Sequence, residues 1–313
     1  MPREAIPWKD AVCYRANAQL SYSTTNKKKF NKNLIQKTVA FFRKKSIIDY
    51  EWSFEMIGAV YFVVILLASI LGAIVGLGGG VFIRPIFDTI GYHGMSDIQF
   101  FSSSAILSMA VVSTYKKMTD GTAIDKSKVV LISAGALVGG VFGDFALQGV
   151  LSMVQEEATA QRIQALCTSM VLLISIVLTA KSSKRYEIKS KGLSFTFGVF
   201  LGGIAVFLGI GGGPLNVPLM MIFFGLSIKS AAAYSIVIVF FSHMSRIVTI
   251  GWTVGFLDFD LLMLVFIIPA AVIGGLVGAR FSKVLTDDVI KKMFIAAISA
   301  VILLNIINAT LII

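Results

Sequence analysis

The sequence GLGGG at residues 76–80 directly follows an apolar run at residues 56–75. At about 1.5 Å of helix rise per residue, this run spans roughly 30 Å, the thickness of the hydrocarbon core of a bilayer. Each glycine in a helix interior costs about 1 kcal/mol relative to alanine, so a cluster of glycines favours an unwound segment. We therefore expect a membrane helix that breaks at these glycines and resumes as a short helix ending near Ile90.

The same motif returns later in the chain as GIGGG at residues 209–213. Pro218 follows Pro85, and Ser235 follows Ser102, at the same spacing along the chain as the second motif follows the first. Several landmarks in one register indicate an internal repeat. Each copy is followed by three further apolar stretches, so we predict that each half contains a glycine-broken helical hairpin and three transmembrane helices.

The composition places these repeats in a membrane. Hydrophobic residues make up 56% of the chain and charged residues 14%, whereas soluble domains average roughly 45–50% and about 25%. This balance argues against a soluble enzyme and against a disordered chain. We predict an all-α polytopic protein of the cell membrane, with homologous halves at residues 56–180 and 193–313 and a basic connecting loop at residues 181–192.

The charges of the short loops indicate that the two halves are inverted. Loops 116–128 and 280–292 each contain four Lys or Arg residues, whereas their repeat counterparts, loops 251–260 and 152–161, contain none. Lys and Arg concentrate in cytoplasmic loops. Because equivalent loops carry opposite signatures, we expect halves related by an axis in the membrane plane.

Residues 1–55 form a basic tail. Residues 1–50 hold 11 of the 28 Lys and Arg residues. Beside a membrane this charge favours the anionic cytoplasmic face over a nucleic acid, which we do not expect as a partner. Residues 34–45 have the apolar spacing of an amphipathic helix lying on the bilayer. The loop scheme places the start of the first helix on the opposite side, so the side occupied by the tail stays open.

The glycine breaks form the candidate substrate site. Irregular backbone at membrane depth occurs where protein or a water-filled cavity satisfies its N–H and C=O groups. The short helix after each break would begin with free N–H groups and about half a positive charge, which together attract an anion. Hydroxyl, amide and guanidinium side chains near the breaks have suitable chemistry. The predicted substrate-binding residues are Gly78, Gly79, Gly80, Arg84, Pro85, Ser102, Ser103, Gly211, Gly212, Gly213, Asn216, Pro218 and Ser235.

Other sites are less well supported by the sequence. The two His and two Cys residues lack metal-ligand spacing, and no Lys-Ser/Thr follows the glycines as in a nucleotide-binding loop. We therefore predict no catalytic residue, metal or cofactor. Glycine pairs such as Gly139 and Gly143 are interpreted as helix-packing contacts. His243 and Arg246 share one helix face and could relay protons or bind an anion, although Arg246 is also interpreted as an interfacial anchor.

These motifs resemble the TauE/SafE sulfite exporter family. The resemblance rests on two GxGGGxxxxP segments, at residues 76–85 and 209–218, and on the Ala/Ser-rich stretch at residues 231–235. It covers residues 56–313. The first half departs from the family pattern at residues 97–101, where DIQFF stands in place of small residues. The resemblance implies transport of a small sulfur-containing anion, such as sulfite or an organosulfonate, often outward.

We expect a secondary transporter that binds this anion between the two breaks and exports it by alternating access. An anion channel on the same scaffold is the first alternative, and an intramembrane enzyme is a weaker one because partner residues for catalysis are missing. The expected partners are the small anionic substrate and the lipid bilayer. A homodimer stays an open alternative.

Overall fold

A computed structural model describes residues 32–119, 125–153, 157–180, 186–188, 190–209 and 211–311. The chain divides into two units, Met1–Glu55 and Met56–Ile313. Residues 34–45 are helical, while the tail before residue 32 lies outside the described residues. The described residues contain α-helices, one short 3-10 helix and no β-strand. The α-helices are α1 Lys32–Val75, α2 Gly80–Ile90, α3 Met95–Thr119, α4 Lys126–Met153, α5 Glu157–Ala180, α6 Lys191–Leu208, α7 Gly213–Phe223, α8 Ile228–Thr253, α9 Leu264–Val284 and α10 Asp287–Leu311.

Within the described part of the chain, eight helical segments are long and apolar enough to cross a membrane. They comprise the second part of α1, from Phe54, together with α3, α4, α5, α6, α8, α9 and α10. The two remaining helices, α2 and α7, have 11 residues each, so each is only about 16 Å long and cannot cross a bilayer. The prediction of an all-α polytopic membrane protein is confirmed.

Each short helix runs back along the helix that precedes it. At the start of α2, Gly79 lies against Ala68 of α1, and further along α2 the ring of Phe87 stacks on Tyr61 with centroids 3.8 Å apart. In the second half, Gly212 lies against Ala205 of α6. The chain after each glycine motif therefore reverses direction and forms a helical hairpin.

Helices from the two halves pack against one another in a reciprocal pattern. Helix α4 of the first half packs on α6 and α8 of the second half. Helix α9, the counterpart of α4, packs on α3 and, through its glycines, on α1. Contacts of α3 with α8 and of α5 with α10 complete the core. The hairpins are thereby enclosed by helices of both halves.

Candidate functional site

The glycine motifs are unwound, as predicted, and their backbone takes up a conformation that favours glycine. At positive φ angles in the left-handed region, the Cβ atom of an L-residue comes too close to the backbone, at a cost of roughly 1–2 kcal/mol per residue. Three glycines in each motif have such angles. They are Gly76 (φ 78°), Gly78 (φ 83°) and Gly79 (φ 72°) in the first motif, and Gly209 (φ 66°), Gly211 (φ 84°) and Gly212 (φ 66°) in the second.

The two breaks lie against each other in the protein interior. A Cβ atom placed on Gly213 would lie 2.3 Å from the Cα atom of Leu77. A Cβ atom on Gly78 would lie 3.4 Å from the carbonyl oxygen of Gly211. The absence of side chains on these glycines therefore allows the two backbones to touch, and the sequence prediction that the breaks face each other agrees with these contacts.

The short helices begin at the breaks without side-chain caps. Gly79 and Gly212 are the N-cap residues of α2 and α7, and Pro214 occupies the first turn of α7, where the fixed φ angle of proline suits a helix start. Among the hydrogen bonds of the described residues, none has the N–H of either N-cap glycine, or of Gly78 or Gly211, as its donor. These donors, together with the positive ends of two helix dipoles, are the elements of an anion site.

Ser102, Ser103 and Asn216, which are predicted site residues beside the breaks, are buried and have no hydrogen-bond partner among the described residues. The Ser102 hydroxyl would lie 3.3 Å from a Cβ atom placed on Gly80. The Nδ2 atom of Asn216 would lie 3.4 Å from a Cβ atom placed on Gly212. A buried polar group left unsatisfied costs roughly 1–3 kcal/mol. Such groups indicate a place where a ligand or water supplies the missing hydrogen bonds.

Ser235 and the prolines have structural contacts in this conformation. The Ser235 hydroxyl donates to the Gly76 carbonyl oxygen at 2.7 Å and so satisfies the end of α1. Pro85 is buried within α2, where its carbonyl oxygen accepts a hydrogen bond from Asn308 at 2.7 Å. Pro218 is buried within α7. Substrate contacts of these three residues stay predictions.

Arg84 lies at the second break, although it belongs to the first half. Its Nη1 donates to the carbonyl oxygen of Leu208 at 3.3 Å, and a Cβ atom on Gly209 would lie 2.3 Å from that nitrogen. The guanidinium group also donates to Gln164, and its Nε lies 3.8 Å from Asp88. Arg84 thus neutralises the C-terminal end of α6 as well as lying beside the candidate site.

Arg246 occupies a similar position on the same helix end. Only 2% of this residue is exposed, so its interpretation as an interfacial anchor is wrong. Its Nη1 donates to the carbonyl oxygen of Val206 at 3.1 Å, its Nη2 donates to Gln99, and its Nε lies 3.6 Å from Asp144. Two arginines from different helices therefore hold the last turn of α6.

The partners of these arginines are not among the residues predicted from the sequence. Asp144 and Gln164 lie within apolar helices, and each is more than nine-tenths buried. An ionisable residue inside a membrane span marks a functional or ion-paired position, so Asp144 carried a signal that could have been used. Gln164 and Gln99 carry no charge, and only the folded chain shows that they bind the guanidinium groups.

The fold and the site together define a polytopic membrane protein with two broken helices that meet in its core. Residues 61–304 match the family described as Sulfite exporter TauE/SafE. Because this match covers most of the chain, the protein belongs to the TauE/SafE family.

Two relatives carry the name Probable membrane transporter protein MamO. The relative from Magnetospirillum gryphiswaldense is 24% identical over 271 residues, which cover 75% of this chain and 43% of the relative. The relative from Paramagnetospirillum magneticum is 24% identical over 273 residues, covering 76% of this chain and 42% of the relative. The chain therefore spans less than half the length of these curated relatives. No solved structure matches it.

Proposed function

We propose that this membrane transporter is a secondary transporter that exports a small sulfur-containing anion, such as sulfite or an organosulfonate. The anion binds between the two glycine breaks, where backbone N–H groups hold its oxygens. Ser102, Ser103 and Asn216 add neutral hydrogen bonds, and Arg84 and Ser235 line the same region. The role is transport without chemical change of the substrate.

One observation carries this proposal: the start of α2 and the start of α7 meet in the protein interior with unused donors. The N–H groups of Gly79 and Gly212 make no described hydrogen bond. The side chains of Ser102 and Asn216 beside them are also unpartnered. Two helix N-termini that converge on one buried point favour a negative charge there, whichever anion supplies it.

The contact between the breaks supports alternating access. Gly213 packs on Leu77 so closely that no substrate fits between these two residues. Binding therefore requires the breaks to separate, and each hairpin belongs to a different half of the chain. Movement of one half relative to the other would open the site toward one side of the membrane at a time.

Efflux from proteoliposomes tests this function. The purified full chain is reconstituted in liposomes that are loaded with ³⁵S-labelled sulfite, and release is compared with release from protein-free liposomes. We expect saturable release that is accelerated by unlabelled sulfite on the opposite side. Single-channel currents would favour the anion channel instead, and the lack of both flux and binding for every small anion tested would reject the site.

A further inference from the structure

We propose that the site between the breaks selects anions with one negative charge over anions of the same shape with two. This inference rests on the proposed function and specifies its substrate class. Monovalent forms, such as an alkanesulfonate or hydrogensulfite, would be carried, whereas a dianion such as sulfate would be rejected. The physical reason is the charge balance around the second break.

The groups that are free to contact an anion are uncharged. They include the N–H groups of Gly78, Gly79, Gly211 and Gly212, together with the unpartnered side chains of Ser102, Ser103 and Asn216. Each helix N-terminus contributes roughly half a positive charge. Two of them, one from α2 and one from α7, therefore supply about one positive charge, which matches a single negative charge on the substrate.

The arginines near the breaks do not add to this charge, because each is compensated. Arg84 is paired with Asp88, its neighbour on the next turn of α2, at 3.8 Å. Arg246 is paired with Asp144 at 3.6 Å, and both of these residues are at least 97% buried. Their Nη1 atoms donate to the C-terminal carbonyl groups of α6, Leu208 and Val206, and their Nη2 atoms donate to Gln164 and Gln99.

The ion pairs lie close enough to the second break to influence it. Gly212 lies against Ala205, because a Cβ atom placed on Gly212 would lie 2.4 Å from the Cβ atom of Ala205. Ala205 is next in sequence to Val206, which accepts a hydrogen bond from Arg246. Charges at such separations interact strongly in a protein interior. The cost of desolvating an ion rises with the square of its charge, so the second charge of a dianion would be buried without compensation.

A matched pair of anions tests this inference. Methanesulfonate and sulfate are both tetrahedral at sulfur and differ by the replacement of a methyl group with a negatively charged oxygen. Both are supplied with a ³⁵S label to proteoliposomes containing the full chain, at one pH and ionic strength. We expect methanesulfonate to be transported at least about tenfold faster than sulfate at equal concentration, equivalent to roughly 1.4 kcal/mol of discrimination.

Charge variants at the buried ion pair give the second measurement. Asp144→Asn leaves the charge of Arg246 uncompensated and should shift the ratio of the two rates toward sulfate by roughly tenfold. The double variant Asp144→Asn/Arg246→Gln removes both charges and should return the ratio toward that of the unmodified protein. Asp288→Asn removes the same charge at an exposed position in the first turn of α10 and should leave the ratio unchanged.

The outcomes separate this inference from the proposed function. If sulfate and methanesulfonate move equally fast, or if Asp144→Asn shifts the ratio no more than Asp288→Asn does, selection by charge is wrong while anion transport stands. If neither anion, nor sulfite, moves or binds, the proposed function fails and the inference fails with it. Should Asp144→Asn not yield folded protein, the ratio measured on the unmodified protein decides.

Discussion

Gly212 illustrates how two separate constraints act on one residue of the site. Its φ angle of 66° lies in the left-handed region, which costs other L-residues roughly 1–2 kcal/mol. A Cβ atom would also lie 2.4 Å from the Cβ atom of Ala205. Backbone conformation and close packing therefore both require glycine where the break meets α7.

We expect Gly212→Ala to reduce anion efflux at least about tenfold, because the added methyl group displaces the N-cap of α7 from its position. The measurement is efflux of labelled sulfite from proteoliposomes, normalised to the amount of folded protein. Gly192→Ala is the matched control, since no described atom lies within 4 Å of its Cβ position. Equal efflux from the two variants would contradict the role of the break.

The two repeat-related serines should respond differently to the same substitution. Ser235 donates to the Gly76 carbonyl oxygen, so Ser235→Ala leaves a buried acceptor unsatisfied and should lower the free energy of unfolding by about 1–3 kcal/mol. Ser102 has no partner among the described residues, so Ser102→Ala should leave stability nearly unchanged and weaken anion binding.

Thermal unfolding in detergent and anion binding, measured on both serine variants, check this difference. Reversed results, with Ser102→Ala destabilising and Ser235→Ala affecting binding alone, would assign the roles the other way round. Equal effects on stability and on binding would mean that the difference in hydrogen bonding has no functional meaning.

At the scale of helices, glycines outside the breaks allow α4 and α6 to pack at backbone distance. A Cβ atom on Gly139 would lie 2.0 Å from the carbonyl oxygen of Val199, and one on Gly143 would lie 2.3 Å from that of Gly203. In the second half, Gly274 and Gly278 of α9 lie in the same way against α1. The prediction that these pairs are packing contacts is confirmed.

Alanine substitutions along α4 should therefore differ in effect. We expect Gly139→Ala to destabilise the protein by roughly 1–3 kcal/mol, the usual cost of overpacking. On the same helix, Gly149 has no described atom within 4 Å of its Cβ position, so Gly149→Ala should be neutral or slightly stabilising. The midpoint of thermal unfolding in one detergent compares the two variants, and a lower midpoint for Gly149→Ala would contradict the assignment.

At the scale of the whole molecule, the inversion of the two halves stays a prediction, and the directions of repeat-equivalent helices bear on it. Helix α3 runs in the same direction as α1. Its residue Phe101 lies near Tyr61 of α1, and its later residue Ile106 lies near Gly80, which follows α1 in the chain. Helix α8, the repeat counterpart of α3, runs from Gly76 back toward the start of α3, where Arg246 binds Gln99. Equivalent helices that run in opposite directions are expected only for inverted repeats.

Cysteine labelling in intact cells tests the inversion, after Cys13 and Cys167 are replaced by serine. Single cysteines are placed at four exposed positions, one in or at the end of each diagnostic loop. In intact cells, we expect a membrane-impermeant reagent to label cysteines placed at Met153 and Leu257. Cysteines placed at Met118 and Thr286 should be labelled only after permeabilisation, because basic loops stay cytoplasmic. Equal accessibility of Met118 and Leu257, which lie in repeat-equivalent loops, would indicate parallel repeats.

Much of the architecture could be predicted because it depends on local chemistry. The excess of apolar residues specifies a membrane protein, and the two glycine motifs specify where helices must unwind, whatever surrounds them. The candidate site was predicted only in part. Gly212, Ser102 and Asn216 could be selected from their types and spacing, but the state of their hydrogen bonds could not.

The sequence by itself determined the repeated, membrane-embedded plan and the positions of the two breaks, because length, hydropathy and glycine content act within a single helix. Only the tertiary structure decided which polar groups stay free. The Ser235 hydroxyl donates a hydrogen bond to the carbonyl oxygen of Gly76, 159 positions away along the chain, whereas its counterpart Ser102 has no hydrogen-bond partner among the described residues. Arg246 likewise meets Gln99 across 147 positions. Such pairings depend on how distant helices pack, and no local pattern specifies them.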